Sequence, residues 1–248
     1  MILYTNGCSH VAGAEALNTY CFAEDDSQYF YLKRKPHPAN LAVSFSAILA
    51  KLLQARLYCD AESAASNDRI VRTTRDFIKG QYKENVKEDV FVLIGWTTWE
   101  REEWEHEGEY YQVNSSGLDA LPEPLQLKYK HWIVGKASNW QAHQQKWHRQ
   151  VWDLHCELQE QNIKHLFFNS HIAFSLIQEQ DQKDWGDSYV DPYTESQSYF
   201  NLMNTKGFSV RPSVAADMGG GHYMADGHQT WAHHLLPHLT KALSGPII

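Results

Sequence analysis

The chain has 248 residues, 43% of them apolar and 21% charged, a balance that suits one folded globular domain and excludes a disordered one. Its formal net charge of −8 argues against sequence-independent binding to a phosphate backbone, which needs clustered Lys and Arg. No apolar run approaches the roughly 18 residues that cross a bilayer, and the opening MILYTNGCSH lacks the basic and apolar regions of a signal peptide.

A cytoplasmic location is therefore expected, or a place in a particle assembled inside a cell, such as a virion. The four cysteines, Cys8, Cys21, Cys59 and Cys156, form no CxxC pair and are expected to be reduced, partly buried thiols.

In chain order, Ile2 to Thr5 reads as a strand that ends at Asn6-Gly7, where glycine permits a sharp turn. A polar stretch over 24–38 reads as a loop. Asn40 to Arg56 carries Leu41, Phe45, Ile48, Leu49 and Leu52 at helical spacing, with Asn40 as its cap. Leu57 to Cys59 is a short strand. Ser66-Asn67-Asp68 opens a helix to about Lys79. Asp89 to Trp96, DVFVLIGW, is the clearest strand, its continuous apolar run suited to a sheet covered on both faces.

Residues 105–135 are polar and aromatic and contain Pro122 and Pro124. They read as an irregular inserted loop or lid. Ser138 to Asn162 is a long helix, His165 to Asn169 a buried strand, 178–198 a polar loop, and Trp231 to Leu243 part of a final amphipathic helix. The alternation of strand and helix predicts an α/β three-layer sandwich: a central parallel sheet with helices on both faces, spanning 1–248 as a single domain. In such sheets the site lies at the carboxyl ends of the strands.

Four short blocks stand at those ends. Gly7-Cys8-Ser9-His10 puts a serine at a strand-to-helix turn, as a helix cap or as a nucleophile that needs a positioned base. In Ala64-Ala65-Ser66-Asn67-Asp68 small residues allow close backbone approach, and Asn67 or Asp68 can cap the next helix. Gly95-Trp96-Thr97-Thr98-Trp99, followed by Arg101, offers a polar side chain that can donate to an oxyanion. In Gly219-Gly220-Gly221-His222 a glycine-rich stretch lets the imidazole approach another loop. Asp217 or Asp226 can orient that ring, and His228 follows at the start of the last helix.

Taken together, GCSHVAG, SNDRI, IGWTTWERE and GHYMADGHQTWA resemble the SGNH (GDSL-like) hydrolases, in a style seen in members encoded by bacterial viruses. The resemblance implies a flavodoxin-like fold and a serine esterase or deacetylase. It implies Ser9 as nucleophile and His222 as general base, with Asp217 as the acid of a triad or a dyad without one. It implies an oxyanion hole from the Ser9 and Ala64 N–H groups and Thr97. Asn67, Trp96, Trp99, Arg101 and His228 are candidate substrate contacts.

The family's Gly-Asp-Ser is Gly-Cys-Ser here, its second-block glycine is Ala64, its third-block Asn is Thr97, and Gly219 stands three residues before the histidine. A small-molecule or carbohydrate ester is the expected partner. No nucleic acid, membrane, cofactor or metal is expected, and a homo-oligomer stays open. The alternative is a weak or inactive module of the same fold that binds a glycan or protein, for instance as a component of a virus particle. A metal site from His222, His228, His233 and His234 is disfavoured, because adjacent histidines point to different faces of a helix.

Overall fold

The computed structural model describes residues 1–21, 35–83, 89–115, 117–136, 138–208, 210 and 221–245. In chain order it begins with β1 (Ile2–Gly7), the one-turn helix α1 (Ser9–Ala12), α2 (Pro38–Ala42), α3 (Phe45–Leu52), β2 (Arg56–Cys59), α4 (Asn67–Lys83) and β3 (Val90–Trp96). There follow β4 (Glu102–His106), β5 (Glu109–Val113), α5 (Glu123–Gly135), α6 (Trp140–Glu160), β6 (Lys164–Asn169), α7 (Tyr199–Thr205) and α8 (Ala225–Ser244).

Strands β2, β1, β3 and β6 lie in that order in one parallel sheet. The two-residue period of a strand sorts its side chains into two cores. Ile2, Tyr4, Val92, Ile94 and Phe167 pack with Ile70 and Phe77 of α4 and Trp147, Val151 and Leu154 of α6. Leu3, Phe91, Leu93, Leu166 and Phe168 pack with Phe45 and Leu49 of α3 and Trp231, Leu235 and Leu239 of α8. The sheet is therefore the middle of three layers, as the continuous apolar runs of β1 and β3 require.

Two expectations change. The helix read over Asn40 to Arg56 is two helices, because Ser44 interrupts it: its hydroxyl donates to Leu41 O at 2.8 Å and accepts from Ala47 N at 3.3 Å, capping α3. Asn40 lies inside α2 instead of capping a helix. Its buried amide accepts from Leu17 N and Asn18 N and donates to Tyr20 O, fastening the segment that follows α1.

Residues 105–135 are also not irregular. β4 and β5 form an antiparallel hairpin whose tip, Glu107 and Gly108, has left-handed φ of 52° and 80°. Pro124 sits in the first turn of α5, where its missing N–H costs nothing, so it does not prevent a helix. Trp104, Val113, Leu121, Leu125, Tyr129 and Trp132 form a small core between hairpin and helix. Gln112 on β5 accepts from Ser66 N at 3.1 Å and so ties the hairpin to the loop before α4.

Candidate active site

The chain leaves β1 for β2 on one side, while β3 lies on the other, so the crevice beyond the β1 and β3 carboxyl ends is a topological switch point. There Gly7 pairs with Gly95 across the two strands. A Cβ on Gly95 would stand 2.7 Å from Val11 Cγ2 and 2.6 Å from Phe168 Cζ, and one on Gly7 would stand 2.7 Å from Gly95 O. Two bare positions side by side therefore let Val11 settle on the sheet, which brings the α1 turn and Ser9 down onto the rim. Asn6, buried, accepts from Gly7 N at 2.8 Å and places its Nδ2 against Ile70 O and the Thr73 and Thr74 hydroxyls, fixing the end of β1 to α4.

Ser9 is the first residue of α1 and is half-buried. Past the strands, the register of Trp96 with Asn169 brings Thr97 level with Ser170, while Ser9 opens α1 two residues beyond the Gly7–Gly95 pair. Ser170 N donates to Trp96 O at 2.7 Å, which extends the β3–β6 pairing in that direction.

His222 is buried, and its Nδ1 lies 2.6 Å from Glu15 Oε2. An ionised carboxylate can only accept, so Nδ1 carries the proton and Nε2 is the ring's basic nitrogen. Glu15 is itself buried and left-handed at φ 59°, an uncommon conformation outside glycine. His222 is anchored by its neighbours: Tyr223 OH donates to Phe200 O at 2.8 Å, and Ala225 N to Ala16 O at 3.1 Å. Among the described residues, the Ser9 hydroxyl makes no hydrogen bond with the His222 ring.

Two further imidazoles complete the cluster. His10 packs its ring 5.2 Å from that of His222 and 4.6 Å from that of His171. Burial first, then the charges of His171 and His222, hold His10 well below the usual histidine range. Burial, then the Arg101 and His222 charges, hold His171 at about 3. Both are therefore neutral at physiological pH. Cys8 Sγ lies 3.9 Å from His171 Nε2.

The second and third blocks meet at the same rim. Glu62 N donates to Gly7 O at 3.1 Å, which continues the pairing beyond β2. Arg69 holds this loop, with Nε 2.7 Å from the buried Glu62 carboxylate and Nη1 donating to Asp60 O at 2.8 Å. Ala64 has a left-handed φ of 66°, a conformation its Cβ penalises and a glycine would not. Ala65 N and Ser66 N are bonded to Glu62 O and Gln112 Oε1.

Asn67 accepts from Thr97 N at 3.0 Å, so it joins α4 to the end of β3 and uses that N–H. Thr97 retains its hydroxyl, whose oxygen accepts from Arg101 Nη1 at 3.1 Å and whose proton is free to turn elsewhere.

Several other candidates are packed into the interior. Trp96 and Trp99 are fully buried, Trp96 edge-on to Phe167 and Trp99 stacked on Phe174. His228 is buried in α8, stacked against Phe45, and accepts from Phe45 N at 3.3 Å, with burial holding it at about 3. Asp217 falls outside the described residues, and Asp226 accepts locally from Gly227 N. On α8, His233 is exposed while His234 stacks on Trp231, so the two diverge.

Glu15, which sequence reasoning missed, was signalled by a lone carboxylate in the small apolar run VAGAEAL: a charge buried there must be paired. Glu15, Cys21 and His222 also bring an oxygen, a sulfur and a nitrogen within 4.8 Å of one another, a donor set of the kind zinc accepts.

No family model matches the sequence, and no curated protein matches it. Among solved structures, the chain is similar to an acetyl xylan esterase (Est2A) from the rumen bacterium Butyrivibrio proteoclasticus, with TM-score 0.46 and 10% identity over 98% of this chain. It spans 64% of that esterase's length. It is also similar to a protein described as lipolytic, of the G-D-S-L family, from Desulfitobacterium hafniense DCB-2, with TM-score 0.28 and 12% identity over 83% of this chain and 97% of the other. The chemistry rests on the residues of the rim and not on these likenesses.

Proposed function

We propose that the chain is a serine ester hydrolase acting on a small acyl ester. Ser9 Oγ attacks the acyl carbonyl, forming a C–O bond, while His222 Nε2 takes the hydroxyl proton. The imidazolium so formed is stabilised by Glu15 and returns the proton to the departing alcohol. Water, activated by the same ring, then cleaves the acyl-enzyme and restores Ser9. The Ser9 and Ala64 N–H groups and the Thr97 hydroxyl are the donors for the tetrahedral oxyanion.

The observation that carries this reading is the buried Glu15–His222 pair at 2.6 Å, set at the same strand-end rim as Ser9. A short acid–imidazole bond orients the ring and fixes its tautomer, which is the service a hydroxyl nucleophile needs. An acetylated carbohydrate is the first substrate class to test. The exposed Leu17, Tyr20 and Met224, close in the chain to Glu15 and His222, offer apolar surface to it.

A fluorophosphonate probe should label the protein and fail to label Ser9→Ala. Folded protein that resists labelling between about pH 6 and 9 would overturn the reading. A second reading, a module of this fold that binds a glycan or protein without turnover, draws on the missing Ser9–His222 hydrogen bond. Glycan binding that survives Ser9→Ala, with no turnover of model esters, would favour it.

A further inference from the structure

We propose that the site takes an ester bearing a carboxylate, and that Arg101 binds that carboxylate. The inference deepens the reading above and rests on Ser9 as nucleophile for its catalytic arm.

Arg101 extends from the loop after β3, and its Nη1 donates to Thr97 Oγ1 at 3.1 Å; Thr97 lies two residues past Gly95, and Ser9 two residues past its strand partner Gly7. Other arginines nearby are compensated. Arg69 pairs with Glu62 at 2.7 Å, Arg72 with Glu103 at 2.7 Å, and Arg75 with Glu157. Among the described residues no carboxylate oxygen lies within ion-pair distance of Arg101. Its chain neighbour Glu102 instead accepts from Trp104 Nε1 at 2.6 Å.

The guanidinium is half-buried and faces imidazoles that burial keeps neutral, so its charge is felt but not cancelled. A chain of net charge −8 repels anions at long range. An uncompensated cation whose charge reaches His10, the chain neighbour of the candidate nucleophile, is what would let a negatively charged substrate dock in spite of that field. With Nη1 given to Thr97, the Nε and Nη2 edge remains, which matches the two oxygens of a carboxylate. One guanidinium balances one carboxylate, whereas a phosphate dianion would leave a charge unpaired.

The test compares charged esters with neutral partners, each rate taken above that ester's own uncatalysed hydrolysis, which the succinate carboxylate accelerates: 4-nitrophenyl hemisuccinate with 4-nitrophenyl butyrate, and 4-acetoxybenzoate with its methyl ester. The first pair carries the carboxylate on the acyl side, the second on the alcohol side. Wild-type protein should favour the charged member of one pair by about tenfold or more in kcat/KM. Arg101→Gln should lower kcat/KM for the charged ester by about tenfold more than for its neutral partner. Equal rates for charged and neutral esters, or an equal loss for both in Arg101→Gln, would overturn the inference, the second outcome leaving Arg101 to act only through Thr97.

Calorimetric titration of succinate and of 4-hydroxybenzoate into Ser9→Ala supplies a readout that needs no turnover. Binding that disappears on adding Arg101→Gln supports the carboxylate site even if no ester is cleaved, in which case the hydrolase reading falls alone. No binding of either anion, together with no charge preference in turnover, overturns the inference.

Discussion

Glu15 and His222 are 207 positions apart in the chain and 2.6 Å apart in space. Glu15 reaches the ring from a left-handed turn just after α1, and His222 is held by the start of α8. The two ends of the chain are thereby joined at the rim where Ser9 stands.

Removing the carboxylate should impair turnover far more than folding. Glu15→Gln keeps the size and one acceptor but removes the charge that stabilises an imidazolium. With a reactive model ester, kcat should fall by about 10²–10⁴-fold with KM little changed. Steady-state kinetics together with a thermal melt close to that of wild type would verify it. A kcat within a factor of about two of wild type would assign the pair a structural role.

The bare Gly7–Gly95 pair should be intolerant of a methyl group. Gly95→Ala places Cβ 2.7 Å from Val11 Cγ2 and 2.6 Å from the Phe168 ring, and overpacking of this kind costs about 1–3 kcal/mol. Urea denaturation should show that loss. Val11→Ala in the Gly95→Ala background should recover part of it, because it removes one of the three close groups, the others being the Phe168 ring and Ser170 Oγ.

Arg69 and Glu62 form an ion pair in which both side chains are buried, at 8% and 1% exposure. Arg69→Met would remove a buried cation from the Glu62 carboxylate and should cost about 3–5 kcal/mol in chemical denaturation. The double variant Arg69→Met/Glu62→Leu should be milder than Arg69→Met alone, since the buried Glu62 charge is removed together with its cation. A double variant as unstable as the single one would mean that the loop depends on Arg69 for its hydrogen bond to Asp60 O.

Acid should weaken the fold through its buried histidines. His155 Nδ1 lies 2.8 Å from His165 Nε2 at the opposite end of β6 from the site, and burial lowers both to about 4. The unfolded chain binds these protons below about pH 6.5, whereas the folded protein binds them only near 4. Stability from this pair is thus complete above about pH 6.5 and declines as pH falls toward 4. Melting temperatures measured across that window should fall with pH, and His165→Gln should flatten the slope. A slope unchanged in that variant would remove this pair as its cause.

Much of the architecture was legible from residue pattern alone. The continuous apolar runs at Ile2 to Thr5, Asp89 to Trp96 and His165 to Asn169 announced strands covered on both faces, and helical periodicity between them announced the covering layers. These signals are local: a strand's alternation and a helix's repeat are written in neighbouring residues. The hairpin of β4 and β5 was obscured because its strands are short and rich in Glu, and Ser44 was hidden as a helix break because its capping shows only once the backbone turns.

The sequence by itself determined the layered parallel sheet and marked the strand ends where the candidate groups stand. Only the tertiary structure decided the order β2-β1-β3-β6, the choice of Glu15 as partner of His222, and the burial of Trp96, Trp99 and His228. Those depend on which side chains meet across tens or hundreds of positions, and such meetings are set by packing and by the need to pair buried charge, neither of which a run of adjacent residues records.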